Sequence, residues 1–214
     1  PIHSYDFKKS FIKSGKYLEL GSPRFSPEWI KILDRINKNV IKKEKKSKKI
    51  RIGFFVRPNN ISSKKIESLF SKLSKLEFIE IKLNLKPRDS LPGKKSVIFK
   101  SELNSTELIN WSDIIITYST SINVEAILKN KYTILMDYIK VHKENEYSWF
   151  SKFKIIETVK KEKKIFELIN KFRLMNKPNI KIKDKYKLLK FFISYKKGES
   201  ILERYENFYK RLEI

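Results

Sequence analysis

Short β-rich runs that alternate with helical patterns between residues 50 and 173 constrain the fold of this chain most strongly. Residues 50–56 and 113–117 are nearly continuous apolar runs, and the second is dominated by β-branched isoleucine. Strands that are buried on both faces have this composition, and crossover helices between such strands are typical of a parallel sheet. The pattern therefore predicts an α/β fold with a Rossmann-like, open and mostly parallel sheet.

We expect about six strands in this sheet, helices on both of its faces, and further C-terminal helices. Residues 113–117 should form the centre, whereas residues 78–85 alternate polar and apolar side chains, as a strand near an edge does. The strands are predicted at residues 50–56, 78–85, 96–99, 113–117, 132–136 and 153–156. The helices are predicted from Ser62 or Ser63, from Ser105 or Thr106 through Trp111, and at residues 122–129, 160–172 and 201–212.

A lysine-rich run separates this sheet from the amino-terminal residues. Six of the eight residues at 42–49 are lysine, which is typical of a solvated linker. Because the chain begins at Pro1 rather than Met, and because the residues before about 38 have no sheet of their own to complete, we expect a piece of a longer protein. Residues 1–41 are predicted to be the end of a missing N-terminal domain and an interdomain crossing, and residues 42–49 the linker. Residues 50–173 are predicted to form the Rossmann-like domain, and residues 174–214 the C-terminal helices.

The chain carries a formal net charge of +25, which usually indicates a polyanionic partner. However, 41 of its 49 basic residues are lysine and only 8 are arginine, whereas proteins that read bases depend on arginine forks. We therefore expect no nucleic-acid partner. The sequence has no cysteine and no apolar run long enough to span a bilayer, which excludes a disulfide scaffold and a cysteine nucleophile and favours a cytoplasmic location.

The segments that leave the predicted strands are candidates for a ligand site, because open parallel sheets bind ligands beyond the carboxyl ends of their strands. They bring basic, hydroxyl and imidazole side chains to one rim, namely Arg57, Lys86, Arg88, Tyr118, Ser119, Thr120, Ser121 and His142. The turn at residues 119–121 leads into a helix, so its N–H groups and hydroxyls suit phosphate oxygens. Glu125 follows on that helix and can accept a hydrogen bond from a ribose hydroxyl. Two structural alternatives stay open: an N-cap role for one hydroxyl, and a surface pair between Glu125 and Lys129.

Residues 111–128, with the sequence WSDIIITYSTSINVEAIL, resemble the donor-binding signature of bacterial glycosyltransferases of the two-domain GT-B type. In that signature a strand runs into Ser-Ser or Thr-Ser, and Glu-Ala follows after three further residues. The loop 86–89 (KPRD) is similar to the Lys-Pro-His or Lys-Pro-Arg loop of these enzymes. Residues 21–24 (GSPR) are similar to the interdomain crossing of members from surface-carbohydrate and capsule biosynthesis. Asn130 stands where the family has glycine, and asparagine can adopt the left-handed conformation required there.

The resemblance implies a domain at residues 50–173 that binds a nucleotide-activated sugar for bacterial surface polysaccharide synthesis. It implies that Lys86 and Arg88 offset phosphate charge, that residues 119–121 hold phosphate oxygens, that Glu125 binds a ribose, and that His142 donates to a phosphate or sugar hydroxyl. The catalytic base is expected in the missing N-terminal domain, so this fragment should be inactive alone and no catalytic residue is assigned.

The same resemblance implies further partners and a location. Residues 174–214 should return toward the N-terminal domain and leave part of the apolar stripe at residues 201–212 exposed. The acceptor should be a glycan or a lipid-linked glycan, and peripheral association with the inner membrane stays open. We expect no cofactor, and no metal because histidine, aspartate and glutamate do not cluster at ligand spacing.

Two other functions remain compatible with the residues. A sugar-nucleotide epimerase of the same architecture would need acid and base carboxylates, for which Asp89, Glu125 and Asp137 are available near the rim. A non-catalytic basic adaptor would bind anionic lipid or nucleic acid through its lysines. Its binding should fall steeply with ionic strength, whereas a nucleotide in a preformed cleft should respond less.

Overall fold

The structure, a computed structural model, describes residues 20–36, 49–56, 62–84, 99–118, 120–139, 150, 153–175, 182–194 and 198–212. The chain divides into two compact units, one made of Pro1–Ile36 with Lys181–Ile214 and the other of Asn37–Ile180. Most of the predicted lysine-rich linker lies outside the described ranges, as do five predicted site residues: Arg57, Lys86, Arg88, Ser119 and His142.

The larger unit contains an open, all-parallel sheet, which confirms the predicted fold class. Its strands are β1 (Ile50–Phe55), β2 (Ile79–Asn84), β3 (Ile114–Thr117), β4 (Tyr132–Met136) and β5 (Glu157–Val159), in the order β2-β1-β3-β4-β5. As expected, β3 is central and buried along its whole length, and β2 is an edge strand in which buried and half-buried residues alternate. The left-handed conformation expected at Asn130, just before β4, is also confirmed by its φ of 55°.

The prediction of about six strands is wrong, because the described residues contain five. Residues 153–156 form a turn in which the N–H of Ile156 donates to the carbonyl of Phe153 at 3.1 Å, and β5 begins only at Glu157. Ile156 is buried, so the apolar pattern there marked burial rather than a strand. Residues 96–98 lie outside the described ranges, and Lys100 meets Leu83 through an isolated parallel bridge.

The described helices are α1 (Pro27–Ile36), α2 (Ser63–Leu73), α3 (Ser105–Trp111), α4 (Ile122–Leu128), α5 (Lys163–Met175), α6 (Ile182–Ile193) and α7 (Ile201–Arg211). Helices cover both faces of the sheet, as predicted. On the first face α2 and α5 bury Phe70 and Ile165 against side chains such as Phe54, while on the second face α3 and α4 bury Leu108 and Ala126. Removing this apolar area from water is the main stabilising contribution to the unit.

The described part of the smaller unit contains α1, α6 and α7. Ser26 caps α1, because its Oγ accepts a hydrogen bond from the N–H of Trp29 at 3.1 Å. Gly21 has a φ of 93°, and a Cβ at this position would lie 2.6 Å from the carbonyl oxygen of Ile193. The carbonyl of Gly21 also accepts from the hydroxyl of Tyr205 at 3.0 Å, so this corner requires glycine.

Apolar side chains of the smaller unit remain exposed on α1 and along the stripe at residues 201–212. Trp29 and Ile32 are exposed on α1. The partial exposure expected for the stripe is observed, since Tyr209 is 50% and Leu212 48% exposed while Ile201 is buried. Among the helices that the structure describes, none has both the length and the apolar character needed to cross a membrane.

Candidate functional site

The strand order creates a topological switch point between β1 and β3. After β1 the chain passes to α2 on the first face, whereas after β3 it passes to α4 on the second face. The two strands lie side by side, with Phe55 paired to Thr117 and the N–H of Tyr118 donating to the carbonyl of Phe55 at 3.2 Å. In open α/β sheets ligands bind in the crevice that such a divergence leaves at the carboxyl ends of the strands.

The start of α2 is fixed to the segment that follows β4. The N–H of Ser62 donates to the carbonyl of Ile139 at 3.0 Å, and the amine of Lys65 donates to the carbonyl of Tyr138 at 2.8 Å. Burial, together with the carboxylate of Glu162, raises the pKa of Tyr138, so this phenol stays neutral at physiological pH. These contacts join the segments after β1 and β4 on the first-face side of the rim.

A buried polar pair lies at the end of β3 and the start of α4. The hydroxyl of Thr117 donates to Oδ1 of Asn123 at 2.6 Å, and both residues are completely buried. No residue in the described ranges accepts a hydrogen bond from Nδ2 of Asn123. This pair was missed in the sequence, where the only signal was one amide inside an otherwise apolar helix.

Two polar groups of the turn before α4 accept hydrogen bonds from backbone N–H groups of α4 itself. Oγ1 of Thr120 accepts from the N–H of Ile122 at 3.3 Å, and the carbonyl of Ser121 accepts from the N–H of Val124 at 3.1 Å. Thr120 thus has a local structural role one residue before the N-cap position of α4. Ser121 occupies the N-cap position, but its side chain makes no capping hydrogen bond. Of the two described hydroxyls in this turn, that of Ser121 is therefore the one without a capping role.

Glu125 and Tyr118 are more buried than we expect for side chains at the rim of a sheet. Glu125 is 5% exposed on α4, and the amine of Lys129 donates to Oδ1 of Asn110 at 2.8 Å. Tyr118 is 2% exposed and packs in the apolar cluster of the first face. Tyr118, Thr120, Ser121 and Glu125 thus follow β3 in succession, and Tyr118 belongs to the apolar core of the first face.

The expected positive charges of the rim are not among the described residues. In the sequence, Arg57 follows β1, Lys86 and Arg88 follow β2, and His142 follows β4. The location of these four side chains at the carboxyl ends of the strands therefore stays a prediction. Within the described ranges, no group of three or more histidine, cysteine, aspartate or glutamate residues could hold a metal ion.

No protein-family model matches the chain, and no curated protein matches it. Among solved structures the chain is similar to KpsC of Thermosulfurimonas dismutans, a beta Kdo 2,7 transferase, with a TM-score of 0.44 and 13% sequence identity. The alignment covers 96% of this chain and 67% of that one.

Proposed function

We propose that this chain is the donor-binding part of a two-domain GT-B glycosyltransferase that binds a nucleotide-activated sugar. In this proposal the enzyme transfers the sugar to a glycan or lipid-linked acceptor in bacterial surface polysaccharide synthesis. The acceptor site and the catalytic base belong to a further N-terminal domain. The role of the described site is then to hold the leaving nucleotide and to stabilise the negative charge that develops on it.

One observation carries the proposal. The segment that resembles the donor signature, residues 111–128, contains the central strand β3, and its hydroxyl-rich turn follows the carboxyl end of that strand beside the switch point between β1 and β3. Its hydroxyl and carboxylate residues, Ser121 and Glu125, follow at the start of α4. A phosphate-binding segment on the amino edge of the sheet would have been incompatible with this function.

The buried amide of Asn123 supports the same conclusion. A buried donor without an acceptor costs about 1 to 3 kcal/mol, and the described residues offer Nδ2 no acceptor. In the proposal, a ligand oxygen at the start of α4 supplies that acceptor. In the proposal Lys86 and Arg88 approach the same ligand from the loop after β2 and offset the phosphate charge.

The direct test is to screen nucleoside mono- and diphosphates against the 214-residue chain by thermal shift and to measure the affinity of any hit by calorimetry. A ligand at 100 times its Kd should stabilise the fold by about 2.7 kcal/mol. Arg88→Ala should weaken the binding of the hit by about 1 to 3 kcal/mol, the scale of a hydrogen bond to a charged group.

Arg35→Ala is the matched control, because Arg35 is an exposed arginine on α1 in the other unit. It removes the same charge and should leave the affinity unchanged. Equal losses in the two variants would show that the nucleotide responds to overall charge rather than to a site. The absence of any nucleotide hit would refute the proposal.

The two rival functions give different results in the same experiment. An epimerase would convert the bound sugar-nucleotide without an acceptor, which product analysis by NMR detects. A basic adaptor would show affinity that falls steeply between 50 and 200 mM salt, by about 10³-fold or more if it made six or more phosphate contacts.

A further inference from the structure

The exposed side of α1 carries a row of large apolar side chains. Trp29 and Ile32 are each 39% exposed, and Ile36 is 67% exposed. Their spacing of three and four residues aligns them along one side of the helix. Ile30 is buried, so α1 presents this row to solvent in addition to the side chain that it buries. An apolar row of this kind differs from the single exposed side chains that every protein surface has.

The exposed charges of α1 are basic. Lys31 and Arg35 are exposed, whereas the two acidic residues of the helix, Glu28 and Asp34, are half-buried. Arg35 is three residues after Ile32, which makes it a neighbour of the apolar row. Neither Lys31 nor Arg35 forms an ion pair with a residue in the described ranges. Their charges are therefore available to an external anion.

The acidic residues of α1 are directed elsewhere. The hydroxyl of Ser200 and the N–H of Ile201 donate hydrogen bonds to the carboxylate of Glu28, so this charge is used at the start of α7. Asp34 is two residues from both Ile32 and Ile36, and residues at that spacing do not share a side of a helix. The apolar row is consequently accompanied by positive rather than negative charge on its solvent side.

The charge of the chain decides which partner can cover this row. The formal net charge is +25, and residues 38–49, which follow α1 in the sequence, contain seven lysines and one glutamate. A second copy of the chain would bring like charges together, which opposes association through α1. An anionic bilayer is attracted by the same charges, by about 1 kcal/mol for each lysine or arginine near its surface.

The side chains of the row also suit a bilayer. A helix with tryptophan and aliphatic residues on one side and basic residues beside them is typical of helices that lie in the membrane interface. Tryptophan is enriched there because its ring is largely apolar while its N–H can still donate a hydrogen bond. Long basic side chains reach the lipid phosphates while their methylene groups stay on the apolar side.

We propose that α1 docks this chain onto the surface of an anionic phospholipid bilayer. Trp29, Ile32 and Ile36 enter the boundary between the headgroups and the acyl chains, and Lys31 and Arg35 contact lipid phosphates. The helix lies on the membrane and does not cross it. This docking is separate from the proposed nucleotide site in the larger unit and does not depend on it.

Flotation of the whole chain with vesicles that contain phosphatidylglycerol and phosphatidylcholine tests the apolar row. Ile32→Ser with Ile36→Ser should weaken vesicle binding by about tenfold or more, because less apolar surface enters the interface. The control is Leu174→Ser with Met175→Ser, which removes two exposed apolar side chains from the larger unit and should change binding by less than about twofold. All four side chains are exposed, so circular dichroism should stay native. Equal losses in the two double variants, or no binding by the native chain, would overturn the proposal.

A second pair of variants tests the charges. Lys31→Gln with Arg35→Gln should weaken binding to these vesicles by about tenfold or more at about 0.15 M salt. Lys75→Gln with Lys171→Gln removes the same charge from exposed positions of the larger unit and should change binding by less than about twofold. Equal losses would show that the bilayer responds to overall charge, as it would with a basic adaptor, and not to α1.

The fluorescence of Trp29 locates the contact. Lipids with brominated acyl chains should quench the tryptophan fluorescence of the native chain, and Trp29→Phe should abolish this quenching while retaining most of the vesicle binding. Quenching that persists in Trp29→Phe would come from Trp111 or Trp149 and would show that another segment enters the bilayer. A native chain that ignores vesicles but forms a dimer in sedimentation, which Ile32→Ser with Ile36→Ser dissociates, would identify a second copy as the occupant and refute lipid docking.

Discussion

The two seven-residue helices on the second face, α3 and α4, begin in different ways. At α3, Oδ1 of Asn104 accepts from the N–H of Glu107 at 2.9 Å, and Oε2 of Glu107 accepts from the N–H of Asn104 at 2.8 Å. At α4, the side chain at the N-cap, Ser121, makes no capping hydrogen bond. Instead, a buried amide, Asn123, has one polar group bonded and the other without a described partner.

The difference indicates what each helix start contributes. The reciprocal capping box of α3 satisfies its own donors and is exposed, so it contributes to stability and needs no ligand. The start of α4 depends on a buried bond to the central strand and leaves polar groups for another partner. Under the proposed function only α4 belongs to a binding site, which would account for this difference among the described residues of the two helix starts.

The largest effect should come from breaking the buried bond at α4. Thr117→Val keeps the shape of the side chain but leaves Oδ1 of Asn123 buried without its partner. The free energy of unfolding should fall by about 1 to 3 kcal/mol, measured by urea denaturation. The combined variant Thr117→Val with Asn123→Leu removes both polar partners and should recover most of that loss. If the combined variant were less stable than Thr117→Val, the pair would contribute more than its hydrogen bond.

A smaller loss is expected at α3. Asn104→Ala removes the cap and should lower the free energy of unfolding by about 1 kcal/mol. Nucleotide affinity, measured by calorimetry, should stay at the native value because the capping box satisfies its own donors and offers none to a ligand. A loss of affinity in Asn104→Ala would contradict the separation between a stabilising helix start and a binding one.

The smallest change in stability should come from Ser121→Ala. Since the hydroxyl of Ser121 makes no capping bond, the free energy of unfolding should change by less than about 0.5 kcal/mol. Under the proposed function, the same variant should bind the nucleotide more weakly. Destabilisation as large as that of Asn104→Ala would show that Ser121 is an ordinary cap, and the contrast between the two helices would disappear.

The fold was predictable where the sequence pattern depends on burial. The β-branched run of β3 predicted the central strand, and the alternation in β2 predicted an edge, because these patterns follow directly from which faces contact the core. The strand expected at residues 153–156 was wrong, since a turn can bury Ile156 as completely as a strand can. Apolar periodicity alone does not distinguish the two over four residues.

The site was less predictable, because its buried polar contacts join separate elements. The bond between Thr117 and Asn123 links a strand to the following helix, and no spacing rule marks the two residues as partners. The position of Tyr118, Thr120 and Ser121 just after β3 was predictable, because it follows from the topology that the apolar runs already indicate. Which of these hydroxyls caps the turn depends on side-chain geometry, and the structure gives that role to Thr120.

The position of β1 between β2 and β3 has a consequence for the synthesis of this chain. Ile52 pairs with Ile81 and Ile114, so β1 leaves the ribosome before either of its neighbours has been made. During that interval an apolar strand with two open edges can pair with other nascent chains. The lysines at residues 42–49 immediately precede it, where charged residues act as gatekeepers against aggregation. Replacing these lysines by serine should therefore reduce the yield of soluble protein while leaving the stability of the purified chain unchanged.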